Sequence, residues 1–493
     1  MKKLFKFLSF IIILQGCSFD NKTGIWNDGN KVQKVKKNES KDITTLEKNK
    51  KFKLRCVFIL NKEDYNKCVG GNNDKKFDPN LEDVFITEKA IDYEKRIDAQ
   101  SINLLIEKPF VNSHWLQENF SDTNNISNFY YSNKKENVFR SRALSKYFVT
   151  RNLDYFKPTK PLIFEDNVVS FDQKGTVYFY SINDKKKVWE FNFYKKKYKK
   201  YNKLIFLHIY NSIVYAADNL GYMYALELNS GKLIWAKNFG IPFRSNIKLT
   251  NDQIFIANQD NTIYSIDLNG DIIWKFATSP TFLKTDYLNN IILDEDTTSL
   301  IFYNTSGEMY SINFLNQNIN WVVNTLNIVG NQNNDLLLSV PIISKREGIF
   351  LYNGNNLTKY NKVNGQRLWT KNVSLKIKPI ATANNLFLIT KKDFLICLDS
   401  ISGEVIWSTK VFNTLDIKAN KLRKKFGRIT SFTIAQNELL LFTSRGQILS
   451  FDYRDGSLIS YKKLMRFGLS TDPIIANGNL YLYDKRYKLY KFQ

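Results

Sequence analysis

The chain is 493 residues long, with 72 Lys plus Arg against 47 Asp plus Glu and a net charge of +25. Its two histidines, His114 and His208, are too few for a histidine metal cluster and stand in no pattern that pairs a base with a nucleophile. The four cysteines, Cys17, Cys56, Cys68 and Cys397, are all separated, so a vicinal disulfide is excluded.

Met1-Lys2-Lys3 followed by Leu4 to Leu14 has the positive start and short apolar core of a secretory signal. Those eleven residues, interrupted by Lys6, fall short of the roughly 20 that a membrane-spanning helix needs. Leu14-Gln15-Gly16-Cys17 resembles the lipobox of bacterial lipoproteins, which implies cleavage before Cys17 and lipid attached there. Ser18 beside it resembles the pattern of lipoproteins sorted to the outer membrane. The expected division is a signal peptide over 1–16, a lipid-anchored linker over 17–50, an N-terminal arm over 51–135 and one folded body over 136–493.

The linker is rich in Lys and Asn with few large apolar residues, the composition of a solvated tether. In the arm, Phe52 to Leu60 reads as a strand, and Asp78 to Lys108 reads as an extended or part-helical segment lying on the body. An oxidising compartment permits a disulfide between Cys56 and Cys68, a pairing that sequence alone leaves open.

From about residue 160 the chain repeats. Trp189, Trp235, Trp274, Trp321, Trp369 and Trp407 are spaced by 46, 39, 47, 48 and 38 residues, and four of them close the phrase Gly-x-x-x-Trp. Lys185 and Gln317 replace the glycine before Trp189 and Trp321. Each unit alternates apolar runs with turn residues: Ile254 to Ala257 is a strand, 258–261 a turn, Thr262 to Asp267 a strand, 268–271 a turn, and Ile272 to Trp274 returns. Gly270 suits a hairpin turn, where φ must be positive. A period near 40 with four strands per unit predicts an all-β fold, a β-propeller of four-stranded antiparallel blades. Blades are expected near 161–193, 204–239, 247–276, 287–323, 340–373, 379–411 and 430–463. The seventh has Ser460 in the tryptophan slot.

The tail, Pro473 to Gln493, supplies three strands where four are due. An open edge exposes unpaired backbone, so Asn137-Val138-Phe139-Arg140 is predicted to close an eighth blade, with Phe139 in the tryptophan's place. The six tryptophans are read as packing between adjacent sheets. Cys397, inside Phe394 to Leu398, reads as a small buried apolar residue, and Asp294-Glu295-Asp296 as a solvated turn.

The basic runs 195–200 and 421–425 fall between predicted blades. In an exported protein they are not expected to bind nucleic acid; solvated loops are the plain reading, and anionic headgroups or an acidic partner the functional one. No Walker loop, Gly-x-Gly-x-x-Gly, Cys-x-x-Cys-His or EF-hand spacing occurs.

The Asp/Asn-x-x-x-Gly-x-x-x-Trp-like turns over about 160–493 resemble the repeats of pyrroloquinoline quinone (PQQ) enzymes. Quinoprotein dehydrogenases carry such repeats and hold their cofactor on the propeller axis beneath an adjacent-cysteine disulfide ring, which this chain lacks. The chain is also similar to the BamB family of outer-membrane β-barrel assembly lipoproteins. Asn112 to Gln117 through Asn124-Asn125 looks like that family's Asn-x-x-Trp-x-Gln motif leading into the propeller, and Ile241 to Ser245 with 259–261 looks like its second-to-third blade passage. The resemblance implies a non-enzymatic scaffold, without cofactor or metal, on the periplasmic side of the outer membrane. Its implied partner is the barrel assembly protein, bound through the loop at Phe243 and Arg244. The family's paired aspartates in the following loop are not reproduced; 281–290 offers only Asp286. A generic periplasmic ligand-binding propeller is the alternative, and a PQQ-dependent dehydrogenase a further one.

Overall fold

Each repeat becomes one antiparallel sheet because its three inner strands are mostly apolar and largely buried and its fourth is mostly exposed or half-buried. In the first sheet, Leu162–Phe164, Asn167–Phe171 and Val177–Ser181 are largely buried, whereas Lys186–Phe191 is exposed or half-buried throughout. Strands covered on both faces by neighbouring sheets need apolar residues at every position; an outer strand with one side in water does not. The computed structural model describes residues 93–95, 97–98, 104–144, 161–198, 201–280, 288–294, 296–325, 341–353, 355–415, 421 and 424–493, with backbone only at 18–19 and 26–27. Those last two stretches form a short antiparallel pair in a separate unit, residues 1–87.

Eight four-stranded sheets make an eight-bladed propeller, as the repeat predicts. Blade 1 spans 162–191, and blades 2 to 7 span 205–238, 248–277, 290–324, 343–372, 380–410 and 429–463. Strands are lettered A to D from the axis outward; A strands of neighbouring blades touch. Blade 8 takes strands A to C from Ile474–Ala476, Asn479–Tyr483 and Leu489–Phe492, and its D strand from Asn137–Arg140, which pairs with Leu489–Phe492. The ring is therefore closed by the N-terminal segment, and Glu136 and Gln493 exchange backbone hydrogen bonds of 3.1 and 3.0 Å where the two ends meet.

The recurring phrase joins blades rather than folding within one. A Cβ added to Gly231 of blade 2 would lie 2.5 Å from the Trp189 ring of blade 1. Gly270 meets Trp235, Gly365 meets Trp321, Gly403 meets Trp369 and Gly456 meets Trp407 in the same way. The indole N–H groups of Trp189, Trp235, Trp321, Trp369 and Trp407 donate to Leu228, Leu268, Lys362, Ser400 and Tyr453 carbonyls of the following blade at 2.8–3.4 Å. Trp274 differs: the turn it faces carries Gln317, and its buried indole N–H finds no protein acceptor.

A β-bulge precedes the tryptophan, or Ser460 and Phe139 in its place, in every blade. Register shifts leave Val188, Ile234, Ile273, Asn320, Leu368, Ile406 and Ile459 as the extra residue, and Val138 in the closing strand. A bulged outer strand bends away from straight pairing, which guards the exposed edge of each blade. Blade 6 is guarded further by the arm, where Ile97 exchanges backbone hydrogen bonds with Ser408 and Tyr93 is buried in the hydrophobic cluster of blades 5 and 6.

Candidate functional site

Each A strand turns one edge toward the axis, and those backbone groups need partners. Residues 112–129 supply them by threading the axis and bonding the inner strand of all eight blades. The Asn112 side chain donates to the Ile475 carbonyl of blade 8 and its backbone carbonyl accepts the Asn477 N–H, both at 2.8 Å. Trp115 and Ile163 of blade 1 exchange backbone bonds of 2.7 and 2.9 Å, and the Leu116 carbonyl accepts from Ile209 of blade 2. Lys248 of blade 3 donates to the Gln117 side chain at 2.9 Å and the Ser121 carbonyl at 2.7 Å.

The circuit continues through asparagine amides. Asn124 donates to the Ile291 and Ile342 carbonyls of blades 4 and 5 at 2.9 and 3.3 Å. Asn125 both donates to the Ala381 carbonyl and accepts the Ala381 N–H of blade 6, at 2.7 and 3.1 Å. Phe129 bonds the blade 7 backbone at Ile434 and Gln436. An amide side chain carries both a donor and an acceptor, which is what an open strand edge requires. Aromatic rings hold this plug in shape: Trp115, Phe120 and Phe129 pack at centroid distances of 4.6–5.5 Å, and Trp115 is 1% exposed. His114 stacks on Phe164 at 4.7 Å, and its Nδ1 accepts the Glu165 N–H.

Two ionisable groups are trapped against the plug. Burial pushes the His208 imidazole down to about 4, opposed by its bond to the Ile247 carbonyl and by Asp122. Burial also pushes the Lys248 ammonium down to about 8, with Asp122 and Glu118 pulling the other way. Their surroundings are amides, carbonyls and apolar side chains together with the carboxylates of Asp122 and Glu118. Among the described residues no group of three His, Cys, Asp or Glu side chains is placed to hold a metal ion.

Antiparallel alternation puts the A–B and C–D turns on one face and the B–C turns and D–A connections on the other. The plug bonds lie toward the A–B ends, so it closes the first face. Phe243 and Arg244 lie on the second, in the connection between blades 2 and 3. Phe243 is fully buried against Phe239 and Tyr264, at 5.3 and 6.4 Å. Arg244 is 8% exposed; its backbone bonds Ala257 and Asn289, and its guanidinium donates to the Phe243 carbonyl at 3.3 Å. Gly240 is the exposed residue of that loop, and Ile241-Pro242 are half-buried. Cys17, Cys56, Cys68, Asp286 and Glu295 lie outside the described residues. Cys397 is a buried free thiol opposite Trp407, pushed up by burial, and Asp294 pairs with Lys362 at 2.7 Å.

The sequence motif at 112–125 carried a signal that local reading missed. Its Asn and Gln residues look like polar loop in the sequence and are buried in the fold.

Eight four-stranded blades, five neighbouring pairs of them docked by a turn glycine beneath a tryptophan, define a PQQ-type repeat propeller. Comparison with known proteins narrows the class. Residues 173–409 match the family model described as outer membrane protein assembly factor BamB. Outer membrane protein assembly factor BamB of Moranella endobia is 17% identical over 305 residues, covering 56% of this chain and 71% of that one. An uncharacterized protein of Rickettsia conorii is 22% identical over 344 residues, covering 66% and 80%. Among solved structures, BamB from Moraxella catarrhalis superposes with a TM-score of 0.52 at 14% identity, covering 68% of this chain and 96% of that one. Quinohemoprotein alcohol dehydrogenase from Comamonas testosteroni gives 0.53 at 10% identity, covering 77% and 80%, a likeness of fold alone. The chain is a BamB-like PQQ-type propeller.

Proposed function

We propose that the protein is a non-enzymatic scaffold of the outer-membrane β-barrel assembly machinery. It faces the periplasm, is held to the outer membrane by lipid on Cys17, and docks on the periplasmic domains of the barrel assembly protein through its D–A loops. The observation that carries this reading is the axial plug in a chain matched by the BamB family model: the chain fills its own axis and leaves a broad, rigid, loop-bearing face. Rigid scaffolds whose loops vary freely suit recognition without chemistry. Phe243 anchors the loop between blades 2 and 3, Arg244 is buried beside it, and Gly240 to Pro242 form its more accessible part.

Purification of the lipidated protein from detergent-solubilised outer membranes tests the proposal. The barrel assembly protein should come with it, and Arg244→Ala should reduce its recovery. Intact protein isolated without that partner would overturn the docking role. Cys17→Ser should release the protein from membranes washed in high salt; continued retention would overturn the lipid anchor.

A further inference from the structure

The B–C turns divide by charge around the ring. Those of blades 2 to 4, at 219–221, 258–261 and 304–307, hold no Lys or Arg, nor does the described part of the blade 5 turn, Asn355. Those of blades 1, 6, 7 and 8 hold Lys174, Lys391, Lys392, Arg445, Lys485 and Arg486, all exposed, with Lys392 paired to Glu94 at 2.6 Å. Basic D–A connections lie on both sides of blades 7, 8 and 1. The one leaving blade 1 carries Lys195, Lys196 and Lys197, and the one entering blade 7 carries Lys421, Lys424 and Lys425, again exposed. In the connections serving blades 3 and 6, by contrast, Arg244 is buried, Lys376 pairs with Asp393 and Lys378 reaches in to the plug.

These segments form one continuous surface. Ser444 bonds the Arg428 carbonyl, Lys485 bonds the Gly468 carbonyl, Gln173 bonds the Tyr487 hydroxyl, and Lys203 bonds the Gln173 carbonyl, which links blades 7, 8, 1 and 2 in sequence. On the turns of blades 8 and 1 the acidic residues are tied to their own backbone, whereas Asp393 of blade 6 pairs with Lys376. Asp484 is fully buried and accepts the Arg486 and Lys488 N–H groups, and Asp172 accepts those of Lys174 and Thr176. Aromatic rings lie among the cations: Arg486 sits 3.9 Å over Phe467, with Arg466 on the same ring, and Lys425 sits 4.6 Å over the exposed Tyr461. The opposite face carries Asp184, Asp252, Asp271 and Glu404 in its turns beside its lysines. A charge set by overall composition would load both halves and both faces alike.

We infer that the loop-bearing face of blades 6, 7, 8 and 1 is a binding surface for anionic phospholipid headgroups. Lysines on exposed turns act as point charges that need no fixed acceptor geometry, which suits a fluid array of phosphates. Aromatic rings with a polar edge or a cation above them suit the headgroup layer. A surface spanning half a ring, without a closed cradle for one anion, fits a membrane better than a single phosphate. Contact through that half tilts the propeller, lifting blades 2 to 5 and the Arg244 loop clear of the membrane.

Cosedimentation of the full-length protein carrying Cys17→Ser, which removes any acyl contribution, tests the inference with no assembly protein present. Its failure would therefore leave the proposed docking role untouched. Binding is expected to vesicles of phosphatidylcholine with about 30% phosphatidylglycerol and to be lost in pure phosphatidylcholine or at high salt. Triple reversal at Arg445, Arg466 and Arg486 to Glu should weaken it at least about tenfold, since each cation near such a surface contributes severalfold. Reversal of Lys195, Lys196 and Lys197 gives a second set on an exposed turn, should the first disturb folding. Reversal of Lys186, Lys232 and Arg454 on the opposite face should leave binding within about twofold. Equal loss from both faces, or no preference for anionic vesicles, overturns the inference. So does tighter binding of soluble polyglutamate through the same residues, which would make the face a site for acidic polypeptide, or release by millimolar inorganic phosphate.

Discussion

Gly231 of blade 2 lies directly beneath the indole of Trp189 in blade 1, with φ at 69° and no space for a methyl group: an added Cβ would stand 2.5 Å from the ring. The two residues that recur in each repeat thus serve different interfaces. The glycine receives the preceding blade's ring, and the tryptophan four residues later is delivered to the next.

Gly231→Ala should consequently cost about 3 kcal/mol, combining positive-φ strain with overpacking. Gly240 has a similar φ of 80° but nothing within 4 Å of an added Cβ, so Gly240→Ala should cost only about 1 kcal/mol. Trp189→Ala should cost about 3–5 kcal/mol. In the double variant the clash disappears, so the two effects should fall short of additive. Chemical denaturation of the four proteins measures this, and equal costs at Gly231 and Gly240 would refute the interblade dock.

The tryptophans should also differ among themselves. Trp235→Phe removes an indole N–H that donates to the Leu268 carbonyl at 2.8 Å, leaving an acceptor without its donor. Trp274 makes no such bond, so Trp274→Phe removes a buried donor that has no protein acceptor. Trp235→Phe is expected to be the more destabilising by about 1–2 kcal/mol. Thermal melts that rank the two in the opposite order would show that ring packing outweighs the hydrogen bond.

What the sequence disclosed follows from how local each signal is. A turn glycine and the ring four residues later are set by nearby backbone, so blade boundaries could be read to within a few residues. The missing strand followed from counting, and Asn137–Arg140 stands where counting places it. The same phrase also recurs there unseen: Lys135, with φ at 55°, holds the glycine's place four residues before Phe139. Its ammonium donates to Ser450 and Ser460, filling the slot that lacks a tryptophan. Lys185 and Gln317 make the same replacement with φ at 55° and 64°, so the precedent was present in the chain. The plug could not be read in this way. Asn124 meets blades 4 and 5 across 167 and 218 residues, and no local pattern distinguishes a buried asparagine of that kind from a solvated one.

Stability should depend on pH through the groups trapped beside the plug. His208 is neutral in the fold, with its value lowered from 6.5 to about 4, so the unfolded chain binds more protons in that interval. Its contribution is complete above about pH 6.5 and is lost as pH falls toward 4, up to about 3 kcal/mol. Lys248 is lowered from 10.5 to about 8, so between those values the unfolded chain again holds more protons and stability rises with pH. His208→Gln should flatten the acid limb and Lys248→Met the alkaline rise. Unfolding free energies measured from pH 4 to 10 decide it, and an unchanged acid slope in His208→Gln would remove the histidine from this account.

The plug predicts where a small change should have a wide effect. Asn125 satisfies both the N–H and the carbonyl of Ala381, and no water-exposed route to those groups remains, since Asn125 is 5% and Ala381 2% exposed. Asn125→Ala should cost about 2–3 kcal/mol, the penalty for leaving buried backbone groups unpaired. Asn125→Asp should cost more. The carboxylate accepts but does not donate, so the Ala381 carbonyl loses its donor and a charge is buried beside it. Hydrogen exchange should report faster exchange at the Ala381 amide and at amides bonded by the plug in other blades, such as Ser344 and Gln436, because one continuous segment serves them all. Acceleration confined to blade 6 would mean that each inner strand holds its own contact independently, and that the plug does not act as a unit.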